Sequence, residues 1–432
     1  MSMSDSKLSR LSLTYFVNSR GYEIVMFSIC ILYTLTAIPR FELNELFKNL
    51  IIIGSLPALF TKVLRREDNN AIFWVFLLSF AVQIASWMNS LRVIPDLATS
   101  YPQIKFLAAL FLFVFIAFWV NGNKSRVLLL YASLVLSFIF TACYHNFLHN
   151  SFAQGLSGQR VDFAMDNAQF TSMLSVVVAA LTAYIVTQLP KNRYKPVAYL
   201  ISGSVILFAL FALIISQSRQ VWLAVVVVAL LSPLICYRSF NYKRTLAIYV
   251  LLAVLGSSLF NISFIHKRVI TESGVIEKVV EGDWDNIPMT SVGIRINSWL
   301  EASKWIINSP LFGTDKGSVR QVIKTSEKFQ AQPRTANYGH LHNFYLEMLV
   351  AYGLFGLLFV VLFYRTIISN VVQHQSYPQQ VFLFLFLIFW AIINSFESYN
   401  TKMLGLYAQN IVLAGLFTYS LPKLKNNVKP RE

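Results

Sequence analysis

Residues 196–237 read PVAYLISGSVILFALFALIISQSRQVWLAVVVVALLSPLICY. Two apolar runs, 196–215 and 220–237, flank the five polar residues Ser216-Gln217-Ser218-Arg219-Gln220. Each run is close to the roughly 20 residues an α-helix needs to cross a bilayer. A five-residue connection cannot carry the chain far from the bilayer edge. The segment predicts a membrane helical hairpin with an arginine in its turn.

The same signal recurs along the chain. Twelve apolar stretches, near 22–39, 45–62, 71–90, 104–121, 126–147, 168–188, 196–215, 220–237, 245–264, 343–364, 378–396 and 403–420, are candidate spans. Of 432 residues, 56% are apolar and only 13% charged, with mean hydropathy +0.56. Soluble domains carry about 25% charged residues, so this chain has too little polar surface to cover itself in water. Its 15% aromatic content excludes disorder. The predicted fold class is an all-α integral membrane protein of about 12 transmembrane helices. Helices 1–9 fill residues 1–264, a long helical loop fills 265–342, and helices 10–12 with a tail fill 343–432. The first stretch lacks a small-residue cleavage site and reads as a retained helix. No internal repeat is evident. Cys30, Cys143 and Cys236 all fall in apolar runs and suggest no disulfide framework.

Charge orients this arrangement. The net charge is +16, from 36 Lys+Arg against 20 Asp+Glu. In a membrane protein such an excess marks cytoplasmic loops and lipid headgroups rather than nucleic acid. One set of alternate connections holds 19 Lys and Arg, the other 7, leaving aside the long loop. The rule that positive charge stays inside then puts both termini in the cytoplasm and loop 265–342 outside.

Span parity also sorts the chemistry. Arg160, Arg219, Arg295, His340 and His342 all fall on one side, whichever way the chain is inserted. Arg219 in its short turn would be costly unless it snorkels to lipid phosphate or meets a fixed anion. Its planar guanidinium matches phosphate oxygens. Arg295 belongs to Gly293-Ile294-Arg295-Ile296-Asn297-Ser298-Trp299, near the start of a predicted helix 294–308 with Trp299, Ala302 and Ile306 at helical spacing. Thr290 or Ser291 is the expected cap, Pro310 the stop, and interfacial anchoring is the expected role of the tryptophans. His340-Leu341-His342-Asn343 leads into the tenth stretch, with Tyr338 close by. A histidine there can act as a base near neutral pH. Asn343 and Glu347 share one helical face, and Glu347 falls just inside the membrane, where an ionisable residue suggests function. Arg160 has Asp162 as a possible partner. Asp283-Trp284-Asp285 matches a short pattern that can hold a divalent ion, but no further oxygen-ligand cluster accompanies it. No metal and no cofactor are therefore expected.

Together, Ser216–Ala224, Gly293–Gly313 (GIRINSWLEASKWIINSPLFG) and His340–Gly356 (HLHNFYLEMLVAYGLFG) carry a resemblance. The chain resembles the bacterial O-antigen ligase and polymerase superfamily of lipopolysaccharide assembly, most closely the O-antigen ligases. The resemblance implies a fold like the all-helical membrane glycosyltransferases (GT-C-like) in the bacterial inner membrane, with the site on the periplasmic face. It implies metal-independent, inverting transfer of O-antigen from undecaprenyl diphosphate to a sugar hydroxyl of lipid A–core. Arg219 and Arg295 would be the diphosphate arginines and His342 the catalytic histidine, with His340 the other candidate for the base. Arg160, His340, Asn343, Tyr338 and Glu347 would contact the diphosphate and glycan. An O-antigen polymerase or a protein O-oligosaccharyltransferase fits the same resemblance. A lipid-linked oligosaccharide flippase is the reading from another class, against which the missing repeat and the edge placement of the charges count.

Overall fold

The computed structural model describes residues 17, 19–64, 71–190, 193–236, 238, 241–260 and 273–419. Several charges behind the orientation argument, among them Lys7, Arg10, Arg65, Arg66, Lys191 and Lys423–Arg431, lie outside the described residues, as does the end of the ninth stretch. The described chain is helical, with no strand among the described residues. Within the described residues, each of the twelve apolar stretches coincides with a helix. The first nine are α1 (Arg20–Thr36), α2 (Leu43–Leu64), α3 (Ala71–Val93), α4 (Lys105–Val120), α5 (Lys124–His149), then, after the short α6 (Ser151–Leu156), α7 (Ala168–Gln188), α8 (Lys195–Ser216), α9 (Arg219–Ile235) and α10 (Tyr242–Phe260). The region between the ninth and tenth stretches holds α11 (Ser273–Glu281), α12 (Ser291–Asn308), α13 (Lys316–Lys324) and α14 (Glu327–Gln330). The last three stretches form α15 (Phe344–His374), α16 (Tyr377–Asn394) and α17 (Met403–Leu416). Among the described residues, six of these helices are long and apolar enough to cross a membrane: α3, α5, α7, α8, α15 and α16. The chain is built as a membrane protein.

Helix α17 is short yet buried along nearly its whole length, and packs on α4, α5 and α7. Its Asn410 explains an interruption in α4. A 3-10 turn at Ala109–Phe111 breaks that helix, and Asn410 satisfies the freed groups. The Phe113 amide donates to Asn410 Oδ1 at 2.8 Å, and Asn410 Nδ2 donates to the Ala109 carbonyl at 3.2 Å. Backbone groups away from water need such partners.

The second interruption matters more for the site. Helix α15 breaks at Gly353 (φ 59°, ψ −153°), a conformation closed to residues with a Cβ. The segment after α12 lies in that break. The Thr314 and Asp315 amides donate to the carbonyls of Val350 and Ala351 at 3.0 and 2.9 Å. The Leu354 and Phe355 amides donate to those of Pro310 and Leu311 at 2.8 and 3.1 Å. A Cβ on Gly353 would lie 2.4 Å from the Leu311 carbonyl group. Gly353→Ala should therefore unseat this segment. The expected result is a large loss of monodisperse protein in size-exclusion chromatography, whereas Gly203→Ala, which meets nothing within 4 Å, should behave as wild type.

Candidate active site

The Ser216–Gln220 turn is built by one left-handed residue. Gln217 ends α8 at φ 52°, and Ser218 precedes Arg219, the first residue of α9. The turn is clasped from outside by the 158–161 loop. Gln217 Nε2 donates to the Gly158 carbonyl at 2.9 Å, and the Val161 amide to the Ile215 carbonyl at 3.3 Å. That clasp brings in Arg160, whose Nε donates to the Ser216 carbonyl at 3.2 Å. The neighbouring Asp162 accepts from the Ala164 amide at 2.9 Å.

Arg295 arrives from the other side on α12. Thr290 caps this helix, accepting from the Gly293 amide at 3.3 Å. The Arg295 guanidinium is held in one orientation. Its Nε donates to the Phe396 carbonyl (3.0 Å), Nη1 to the Ser291 carbonyl (2.9 Å) and hydroxyl (3.2 Å), and Nη2 to Gln220 Oε1 (3.0 Å). Arg160, Arg219 and Arg295 line a single cavity of about 520 Å³, with Gln220, Trp299 and Phe396 in its wall. Three arginines, separated by 59 and 76 positions in the chain, thus line one space. Trp299 is a wall of this cavity, its indole donating to the Leu341 carbonyl at 3.1 Å, and not the interfacial anchor expected of it. Burial of Ala302 against the bundle turns that face of α12 inward.

Behind Arg295 sits a carboxylate that sequence reasoning missed. Glu397 follows Phe396 in the connection between α16 and α17 and is almost fully buried. His342 Nδ1 lies 2.9 Å from Glu397 Oε2, and His340 Nε2 3.6 Å from Oε1. The Ser398 amide donates to Oε1 at 3.1 Å. Gln169, with its amide turned to donate, reaches Oε2 at 2.7 Å and accepts from Arg295 at 3.2 Å. Burial alone would raise the Glu397 pKa. The His342 hydrogen bond and the nearby His342, His340 and Arg295 outweigh it and hold the carboxyl down at about 2. His340 moves the other way. Burial first, then His342, push it down to about 4, so it is neutral at pH 7. Tyr338 stacks on His340 and meets His342 edge-on. The parity that grouped the arginines also puts the connection after the eleventh stretch on their side, and Glu397 is the acidic residue of that connection.

The His loop is sewn down at Leu341. Its amide donates to Glu347 Oε1 at 3.0 Å, and its carbonyl accepts from Ser298 at 3.0 Å as well as from Trp299. Glu347 is buried beneath the loop. It also accepts from Ser398 (2.6 Å) and pairs with Lys316 (2.9 Å), whose ammonium lies over the Phe106 ring. Asn343 Oδ1 caps α15, accepting from the Tyr345 and Leu346 amides at 3.0 and 3.1 Å. Glu347 and Asn343 therefore hold the segment that carries the histidines. Removing one partner of a buried ion pair costs about 3–5 kcal/mol. Lys316→Met should accordingly lower the unfolding temperature in detergent sharply, and Lys316→Met with Glu347→Gln should recover part of the loss. In the acidic tripeptide of the loop, Asp283 is held by Lys278 at 3.0 Å and by Asn286 at 2.9 Å.

Residues 203–361 match the family described as O-Antigen ligase. The match bears out the resemblance to the O-antigen ligase superfamily and supports, in broad terms, a membrane glycosyltransferase of ligase or polymerase type. The matched stretch contains Arg219, Arg295, His340 and His342. The chain is also similar to a Haemophilus influenzae protein described as uncharacterized. The two are 26% identical over 318 residues, which cover 72% of this chain and 74% of that protein.

Proposed function

We propose that this protein is an O-antigen ligase of the bacterial inner membrane, with about twelve spans in a GT-C-like arrangement and its site on the periplasmic face. The donor is O-antigen on undecaprenyl diphosphate, and the acceptor a sugar hydroxyl of lipid A–core. The observation that carries this reading is the shared cavity of Arg160, Arg219 and Arg295. Three guanidiniums suit a diphosphate, with its several oxygens and delocalised charge. A second cavity, of about 710 Å³ and almost wholly apolar, lies between α7, α9 and α16. The same three helices, at their mouth ends, contribute Gln169, Arg219 and the approach to Phe396 to the arginine cavity. The apolar walls, among them Val176, Val225, Phe382 and Phe386, suit a polyprenyl chain below its diphosphate.

The chemistry follows from the side chains. His342 donates from Nδ1 to Glu397, which leaves Nε2 as the proton acceptor. The acceptor hydroxyl attacks the anomeric carbon as Nε2 takes its proton. A new glycosidic C–O bond forms on one face, and the bond to the diphosphate oxygen breaks on the other. The electron pair leaves on that oxygen, where the preset arginines meet the growing negative charge. A single displacement of this kind inverts the anomeric centre. Carboxylate Glu397 fixes the tautomer and stabilises the imidazolium.

The test gives purified protein in nanodiscs a polyprenyl-diphosphate glycan with either lipid A–core or a second lipid-linked repeat. A glycan joined to lipid A–core supports the ligase. A lengthened lipid-linked glycan instead would make the protein a polymerase, and no transfer to either would overturn the reading. Hydrogen bonds to charged groups contribute about 1.5–3 kcal/mol. Glu397→Gln should therefore lower kcat on the order of 10- to 100-fold with little change in KM.

A further inference from the structure

The grouping of His340, His342 and Glu397 has a second chemical meaning. Two imidazole nitrogens and one carboxylate oxygen lie within 4.8 Å of one another. His342 Nδ1 lies 2.9 Å from Oε2 and His340 Nε2 3.6 Å from Oε1. A zinc ion sits about 2.0–2.2 Å from such nitrogen and oxygen ligands, which places tetrahedral ligands roughly 3.3 Å apart. Separations of up to 4.8 Å must therefore close by as much as about 1.5 Å on binding. The i, i+2 spacing, with His342 held at φ 52°, brings the two rings to 4.1 Å between centroids. The ligands are also supported from behind: Leu341 is fixed at both its amide and its carbonyl, and the Ser398 amide holds Glu397.

We infer that His340, His342 and Glu397 form a binding site for a transition-metal dication of the zinc class, and that occupancy switches the histidine base off. The first half stands on this geometry alone; the second rests on the proposed transfer reaction. Two imidazoles with one carboxylate select zinc-like ions over Mg²⁺ and Ca²⁺, which take oxygen sets. Coordination uses the Nδ1 lone pair of His342. The ring proton must then sit on Nε2, so the atom that would accept the acceptor hydroxyl's proton becomes a donor. The proton moves from one ring nitrogen to the other, none is released, and the Nδ1–Glu397 hydrogen bond gives way to coordination by both groups. Arg295 and Lys402 lie close enough to act on the cluster's charge. They oppose a dication and weaken its hold, which favours a reversible occupant.

The experiment is titration calorimetry of the full chain in nanodiscs with ZnCl₂ and, separately, MgCl₂. One Zn²⁺ per chain with no Mg²⁺ heat is expected, and His340→Gln and Glu397→Gln should each weaken Zn²⁺ binding at least ~10-fold. X-ray absorption at the zinc edge should report two imidazole nitrogens. Size-exclusion profiles matching wild type confirm that the variants fold. Absence of saturable binding, or Zn²⁺ affinity unchanged in folded His340→Gln, overturns the site. In the transfer assay, Zn²⁺ should inhibit and chelator restore activity. Stoichiometric binding at these residues without inhibition keeps the site and overturns the switch. Absence of transfer even in metal-free protein overturns the enzymatic reading and, with it, the switch, while the calorimetry still decides the site.

Discussion

Replacing His342 by alanine should reduce glycan transfer by about 100- to 10,000-fold, the range general-base catalysis contributes. The imidazole is placed for this by three constraints. It sits at φ 52°, it bonds Glu397 through Nδ1, and its neighbour Leu341 is tied to both α12 and Glu347. Alanine leaves those backbone ties in place, so protein level and donor KM should hold while kcat falls. The doubled histidine supplies the control. His340 meets Glu397 only at 3.6 Å, so His340→Ala should cost less. The measurement is single-turnover transfer from a fluorescent lipid-linked glycan. If His340→Ala loses the larger part of the rate, the base is His340, and the tautomer argument through Nδ1 fails.

Arg295→Ala should lower kcat by roughly 100- to 1,000-fold, the cost of removing one preorganised donor aimed at developing charge. Arg295 differs from a surface arginine in that its orientation is already fixed by Phe396, Ser291 and Gln220. It also adds positive potential beside Glu397. Arg295→Lys should recover little, because an ammonium cannot keep those three partners and face the cavity at once. Steady-state kinetics separate the effects. A loss confined to KM would make Arg295 a ground-state anchor and remove it from charge stabilisation in the transition state. Arg365, on the far half of α15, serves as a control, and Arg365→Ala should leave transfer unchanged.

Much of this site was legible from the linear chain because a membrane forces the backbone into simple alternation. Apolar runs fix which connections share a side, so Arg160, Arg219, Arg295 and the His-Leu-His segment could be grouped without coordinates. The helix over 294–308 and its Thr290 cap followed from spacing and capping chemistry. Other features were hidden because their causes are long-range. Trp299 looks like any interfacial tryptophan until Leu341, forty-two positions later, offers it a carbonyl. Glu347 looks like a free intramembrane acid until Lys316 reaches it from α13. The break of α15 at Gly353 is invisible in an apolar run, since it depends on the segment around Leu311 occupying it.

Composition and spacing alone were enough to read a bundle of apolar helices, and to say which charges lie on one side of it. Hydropathy and parity are local and cumulative, so they survive without knowledge of contacts. That three arginines line one space, and that Glu397 stands behind His342, could be seen only in the folded chain. Those facts depend on how α7, α9, α12 and α16 converge, and on a left-handed Gln217 that turns the chain back within two residues. Guanidinium and imidazole groups act over a few ångströms, and such distances are set by packing, which no residue encodes alone.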